Sequence, residues 1–146
     1  MSNHDISVLN DLIKTTLDSR KGYLDACEDA SARFADTFAG LARERSEIAS
    51  RLQGEVRRQG GDPADDSGVI GAAHRGFMDL KNAVTGTDDT AVVKEVERGE
   101  DHIKAKFEKA LKDGELTVDA RRVIEECYIS VKAAHDRMSA LKHSMT

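Results

Sequence analysis

From Asp5 to about Ala30, apolar side chains recur at Leu9, Leu12, Ile13, Thr16, Leu17, Tyr23, Leu24 and Cys27, at intervals of three and four. That period lays one apolar stripe along an α-helix. A second stripe, Phe34, Phe38, Leu41, Ile48, Leu52 and Val56, predicts a helix over 31–59. Gly60-Gly61 ends it, because glycine takes up the left-handed conformation that closes a helix, and Asp62-Pro63-Ala64-Asp65-Asp66 reads as a loop. A shorter helix is predicted over 67–84, with Ile70, Ala73, Phe77, Leu80 and Val84 on one side. Thr85-Gly86-Thr87-Asp88 stops it and supplies a new N-cap. The next stripe, Val93, Val96, Ile103, Phe107 and Leu111, runs to about Lys112 and is closed by Asp113-Gly114. Thr117 opens the last helix, which carries Ile124, Cys127, Val131, Ala134, Met138 and Leu141.

Helices of roughly 25 residues are about 37 Å long, and the shorter one about 26 Å, at the rise of an α-helix. Short loops make the first and second long helices antiparallel, and likewise the third and fourth. The stretch 60–87 is long enough to return along the bundle, which makes the second and third long helices parallel. Two antiparallel pairs joined by a long crossover containing a shorter helix form the ferritin-like four-helix bundle. Residues 1–146 are thus expected to be one all-α domain of that kind.

Composition narrows the function classes. One proline, no tryptophan and an abundance of strong helix formers agree with an all-α chain. The 22 basic and 27 acidic residues are interspersed, and the basic runs are short pairs such as Arg57-Arg58 and Arg121-Arg122, so nothing predicts a nucleic-acid partner. No apolar run approaches the roughly 20 residues that span a bilayer. Met1-Ser2-Asn3-His4-Asp5 lacks a basic segment followed by an apolar one, so a cytoplasmic location without a membrane partner is expected. Cys27 and Cys127 read as reduced thiols; the helix levels separate them by about 15 Å, beyond disulfide reach.

Carboxylate di-iron bundles take a Glu from each of two helices and a Glu-x-x-His pair from each of the other two. This chain has no such pair: Glu44 is followed three positions later by Glu47, Glu97 by Glu100, and Glu125 by Tyr128. Glu97 and Glu100 nevertheless break the apolar stripe of the third long helix, with position 100 on the stripe and 97 beside it. Arg45 breaks the stripe of the second helix between Leu41 and Ile48, and Arg20 stands near the same level on the first. The preferred reading is a structural ionic core of Arg20, Arg45, Glu97 and Glu100 across the middle of the bundle. Two alternatives are a margin position where both glutamates reach solvent, and an oxygen-rich Fe or Mn site built from Glu44, Glu97, Glu100 and His74. Helix-interior glycines at Gly22 and Gly99 would allow a neighbouring helix to approach closely. His74 and His135 read as hydrogen-bonded surface histidines, and His102 and His143 as exposed. No nucleophile elbow or phosphate-cradling glycine loop is present in the sequence.

Several stretches carry a family resemblance: Leu9-Asn10-Asp11-Leu12-Ile13, Gly22-Tyr23, Gly60-Gly61-Asp62-Pro63, Ala73-His74-Arg75-Gly76, Glu97-Arg98-Gly99-Glu100-Asp101 and Ala134-His135-Asp136-Arg137. In their order along nearly the whole chain they resemble an uncharacterised bacterial family of ferritin-like four-helix bundles, a domain of unknown function. The resemblance implies the fold and a bacterial origin, and it implies no activity. The function expected is therefore that of a non-enzymatic, cofactor-free bundle, a stress-associated interaction protein. A homodimer is the expected assembly, through a bundle face or through Val69 and Met78. The alternative is a carboxylate-rich Fe or Mn protein, or a redox protein with an atypical site.

Overall fold

A computed structural model describes residues 3–65 and 89–145. The described residues form four helices: α1 (Asn3–Asp29), α2 (Ala32–Arg58), α3 (Asp89–Leu111) and α4 (Val118–Ser144). The shorter helix expected over 67–84, with Val69, His74 and Met78, lies outside the described residues. None of the described helices is long and apolar enough to cross a membrane.

The caps follow local chemistry. At the end of α2 the Gly61 N–H donates to Val56 O and the Gly60 N–H to Arg57 O, both at 2.9 Å. This double closure needs a left-handed residue after the cap, and Gly60 supplies it at φ 82°. Thr117 caps α4, its hydroxyl accepting the Ala120 N–H at 3.4 Å.

Contacts between helix ends fix the directions. Ser31, at the start of α2, donates its backbone N–H and its hydroxyl to the Asp89 carboxylate at 2.8 and 2.7 Å, so α2 and α3 begin at the same end. His4, at the start of α1, reaches Asp113 beyond the end of α3. Asp5 accepts the Thr117 N–H at 3.1 Å, which sets the starts of α1 and α4 side by side. α1 packs on α2 and α3, and α4 completes the four-sided bundle against the other two.

The core is divided. One apolar cluster gathers Leu9, Leu12, Ile48, Leu52, Ile103, Phe107, Ile124 and Val131, among others. The other gathers Tyr23, Phe34, Phe38, Leu41, Val93, Val96, Ala134 and Met138. On every helix the boundary falls within one or two turns, and between the clusters lies a layer of polar side chains.

Candidate functional site: a buried ionic layer

The layer is set by the same three-four spacing that builds the core. Along α3 the sequence Val93, Val96, Glu100, Ile103, Phe107 keeps one face inward, and along α2 Leu41, Arg45 and Ile48 do likewise. Arg45 and Glu100 therefore point into the bundle, with side chains 1% and 0% exposed. Arg45 Nη2 donates to both Glu100 oxygens at 2.8 Å, and Nη1 donates to Ser19 Oγ at 3.1 Å. The Tyr23 hydroxyl donates to Glu100 Oε1. The guanidinium carbon of Arg45 also lies 5.5 Å from the Tyr23 ring centroid, within cation–π range. Phe38 backs the tyrosine ring at 6.2 Å between centroids, and Phe34 backs Phe38 at 6.3 Å.

Electrostatics keep the Tyr23 hydroxyl protonated. Burial, then the negative charge of Glu100, pushes the Tyr23 hydroxyl well above its ordinary value, so it stays a proton donor. Glu100 in turn accepts hydrogen bonds from Arg45 and Tyr23, which satisfies its oxygens in a dry interior.

The other expected residues are placed elsewhere. Glu97 is largely buried but leans outward, with Lys142 of α4 3.5 Å from its carboxylate. The reason is angular: positions 97 and 100 stand about 60° apart around a helix of 3.6 residues per turn. Arg20 is partly buried on α1, and the partners of Glu100 are Arg45 and Tyr23 instead. The inner seam of α1 runs through Leu9, Leu12, Thr16, Ser19 and Tyr23, which gives the layer Ser19 where Arg20 was expected. Glu44 faces α4, 3.5 Å from Ser130 and 3.8 Å from Arg137. Glu44, Glu97 and Glu100 thus have three separate sets of partners and do not converge. His74 lies outside the described residues. His135 hydrogen bonds to Asp101 at 2.7 Å across α3 and α4, and His102 and His143 are exposed.

The layer does not fit a di-metal centre. The Glu100 carboxylate is bound through both oxygens by a guanidinium, and a second cation there would meet the positive charge of Arg45 at short range. Nor does either thiol offer a nucleophile there. Cys127 is buried in the far apolar cluster, and burial pushes its thiol up to about 11; Cys27 lies half-buried with its Sγ 3.3 Å from the Ala35 carbonyl.

A second polar constellation, which the sequence spacing did not signal, closes the end of the bundle. Asp5 is fully buried and accepts from Thr117 and from Gln59 Nε2, the latter at 3.1 Å. Burial works to raise its carboxyl, but these hydrogen bonds outweigh it and hold Asp5 below the usual carboxylate range. Gln59 also donates to Glu55 at 2.8 Å, and Glu55 pairs with Arg58. These residues come from positions 5, 55–59 and 117, a grouping no local pattern contains.

Residues 4–113 match the model of a family described as a domain of unknown function, DUF2383. No curated protein matches the chain.

Proposed function

The chain belongs to the DUF2383 family, and from that premise and the geometry of its core we propose that it is a non-enzymatic, ferritin-like helical bundle, a cytoplasmic interaction protein that works without a core metal or cofactor. The carrying observation is the Arg45–Glu100 pair. It fills, with a protein cation, the mid-bundle position where carboxylate bundles of this topology collect metal ligands. The parallel α2 and α3 support a crossover between them, and the crossover helix and Val69–Met78 face belong to the same reading. So do the bacterial origin and the role in stress suggested by the family resemblance.

An ionic layer serves such a protein in a definite way. A buried pair contributes little net stability, because desolvation offsets the Coulomb attraction, but it penalises arrangements that leave either charge unmatched. Sliding α2 past α3 by one turn would bring Arg45 level with Val96 or Ile103 instead of Glu100. A single helix register keeps the outer faces of the bundle in fixed relation, which an interaction surface requires.

Elemental analysis of tag-free protein tests the reading. The expected result is no stoichiometric Fe or Mn, and a thermal midpoint that ignores added Fe or Mn at the core. Stoichiometric Fe or Mn that disappears in Glu97→Ala or Glu100→Ala, but persists in His4→Ala, would overturn it in favour of a carboxylate-rich metal protein. Light scattering on a size-exclusion column tests the homodimer directly, with twice the chain mass expected.

A further inference from the structure

At the end of the bundle remote from the first turn of α2, three metal-ligating side chains converge that belong to no part of the ionic layer. His4 stands in the first turn of α1, and Asp113 and Glu115 in the loop between α3 and α4. His4 Nε2 is 2.7 Å from Asp113 Oδ2 and 3.8 Å from Glu115 Oε2, and one ligand atom from each of the three lies within 4.8 Å of the others. We propose that His4, Asp113 and Glu115 form a binding site for a divalent transition-metal ion of the zinc type, joining the start of α1 to the α3–α4 loop.

The charge balance favours a cation there. Two carboxylates share one imidazole nitrogen, and among the described residues neither has a Lys or Arg side chain in ion-pair contact. Even a protonated His4 leaves the trio with a net negative charge; a neutral one leaves two. The other charged groups facing it are Asp5, whose oxygens are committed to Thr117 and Gln59, and Arg121. Arg121 directs its guanidinium to the backbone oxygens of Leu111 and Asp113. That anchors the loop and leaves the two carboxylates to His4.

The donor set also has the right composition. One imidazole nitrogen with two carboxylate oxygens suits zinc and its first-row neighbours, and three protein ligands leave a position for water or another ligand. Asp113 Oδ1 accepts the Glu115 N–H at 2.9 Å, so Oδ2 is the oxygen presented to the site. The site is open: the Glu115 side chain is 81% exposed, and Asp113 borders a groove of about 560 Å³ whose charged lining also includes Asp11, Lys106, Lys109 and Lys112. The 2.7 Å between His4 Nε2 and Asp113 Oδ2 is that of a hydrogen bond, so the metal displaces the proton between them and moves the two ligands slightly apart.

Isothermal titration of the full, tag-free chain with Zn²⁺ tests this. One equivalent is expected to bind, with an affinity reduced at least about tenfold in His4→Ala and in Glu115→Gln. His143→Ala, which removes an exposed imidazole elsewhere, should bind as the parent does. Zn²⁺ should also raise the thermal midpoint of the parent but not of Glu115→Gln, a substitution at a solvent-exposed position that leaves the fold intact. Absence of binding in the parent, or an affinity in Glu115→Gln and His4→Ala equal to the parent's, would show that the trio is an ion-pair cluster and overturn the proposal. The ionic layer is untouched by either result.

Discussion

Replacing Glu100 by leucine is the most direct perturbation of the layer. It removes the carboxylate bound to Arg45, whose side chain is 1% exposed, and takes away the Glu100 acceptor of the Tyr23 hydroxyl as well. Breaking a buried ion pair from one side costs about 3–5 kcal/mol, because the remaining charge stays dry and uncompensated. The loss of this acceptor for the buried phenol adds roughly 1–3 kcal/mol. For a chain of this size each kcal/mol moves the thermal midpoint by roughly 2–4 °C, so a drop on the order of 10 °C or more is expected. Arg45→Met, made alone, should also destabilise. The double variant Arg45→Met/Glu100→Leu removes both charges and fills the layer with apolar volume, so it should recover most of the loss and end within about 2 kcal/mol of the parent. Urea unfolding followed by far-ultraviolet circular dichroism gives all four corners of the cycle. A Glu100→Leu cost below about 1 kcal/mol, or a double variant no better than the worse single, would refute a tightly coupled buried pair. The double variant carries a second test, because loss of the register device should show as broadened amide resonances or a changed oligomeric state while stability is retained.

Four further outcomes follow from local physics. For His135, burial works to lower the imidazole, but hydrogen bonds to Asp101 and Asp136 outweigh it and raise it above its ordinary 6.5. A raised folded-state value means that the pair stabilises below the unfolded value and that this contribution fades as pH rises through the folded value; His135→Ala should therefore lose stability at pH 6 relative to the parent and little at pH 8.5, as measured by urea midpoints. Gly60→Ala should cost about 1 kcal/mol, because φ 82° suits glycine. Gly54→Ala, inside α2 with open space where its Cβ would stand, should gain roughly 0.5–1 kcal/mol in the same assay. Iodoacetamide at pH 8 should label Cys27 ahead of Cys127, whose thiol is buried and shifted up to about 11; equal labelling rates in native protein, read by mass spectrometry, would contradict that burial.

The sequence by itself determined the helices and their inner faces. Repeats at three and four mark the seam of each helix, and the stops at Gly60 and Asp113 and the cap at Thr117 bound them, because capping and periodicity depend on residues within a turn or two of one another. It also determined that the seams of α2 and α3 are each interrupted by a charge, at Arg45 and Glu100. Tertiary structure decided which charges meet. Glu97 and Glu100 are near neighbours in sequence, yet one reaches Lys142 and the other Arg45, because a 60° difference in direction around the helix decides between margin and centre. Ser19 rather than Arg20 enters the layer for the same reason: one residue turns the side chain by about 100°. The trio of His4, Asp113 and Glu115, and the burial of Asp5 by Thr117 and Gln59, have no trace in local spacing at all. Their members lie on separate helices and loops, and only the packing of helix ends brings residues more than a hundred positions apart within hydrogen-bond distance.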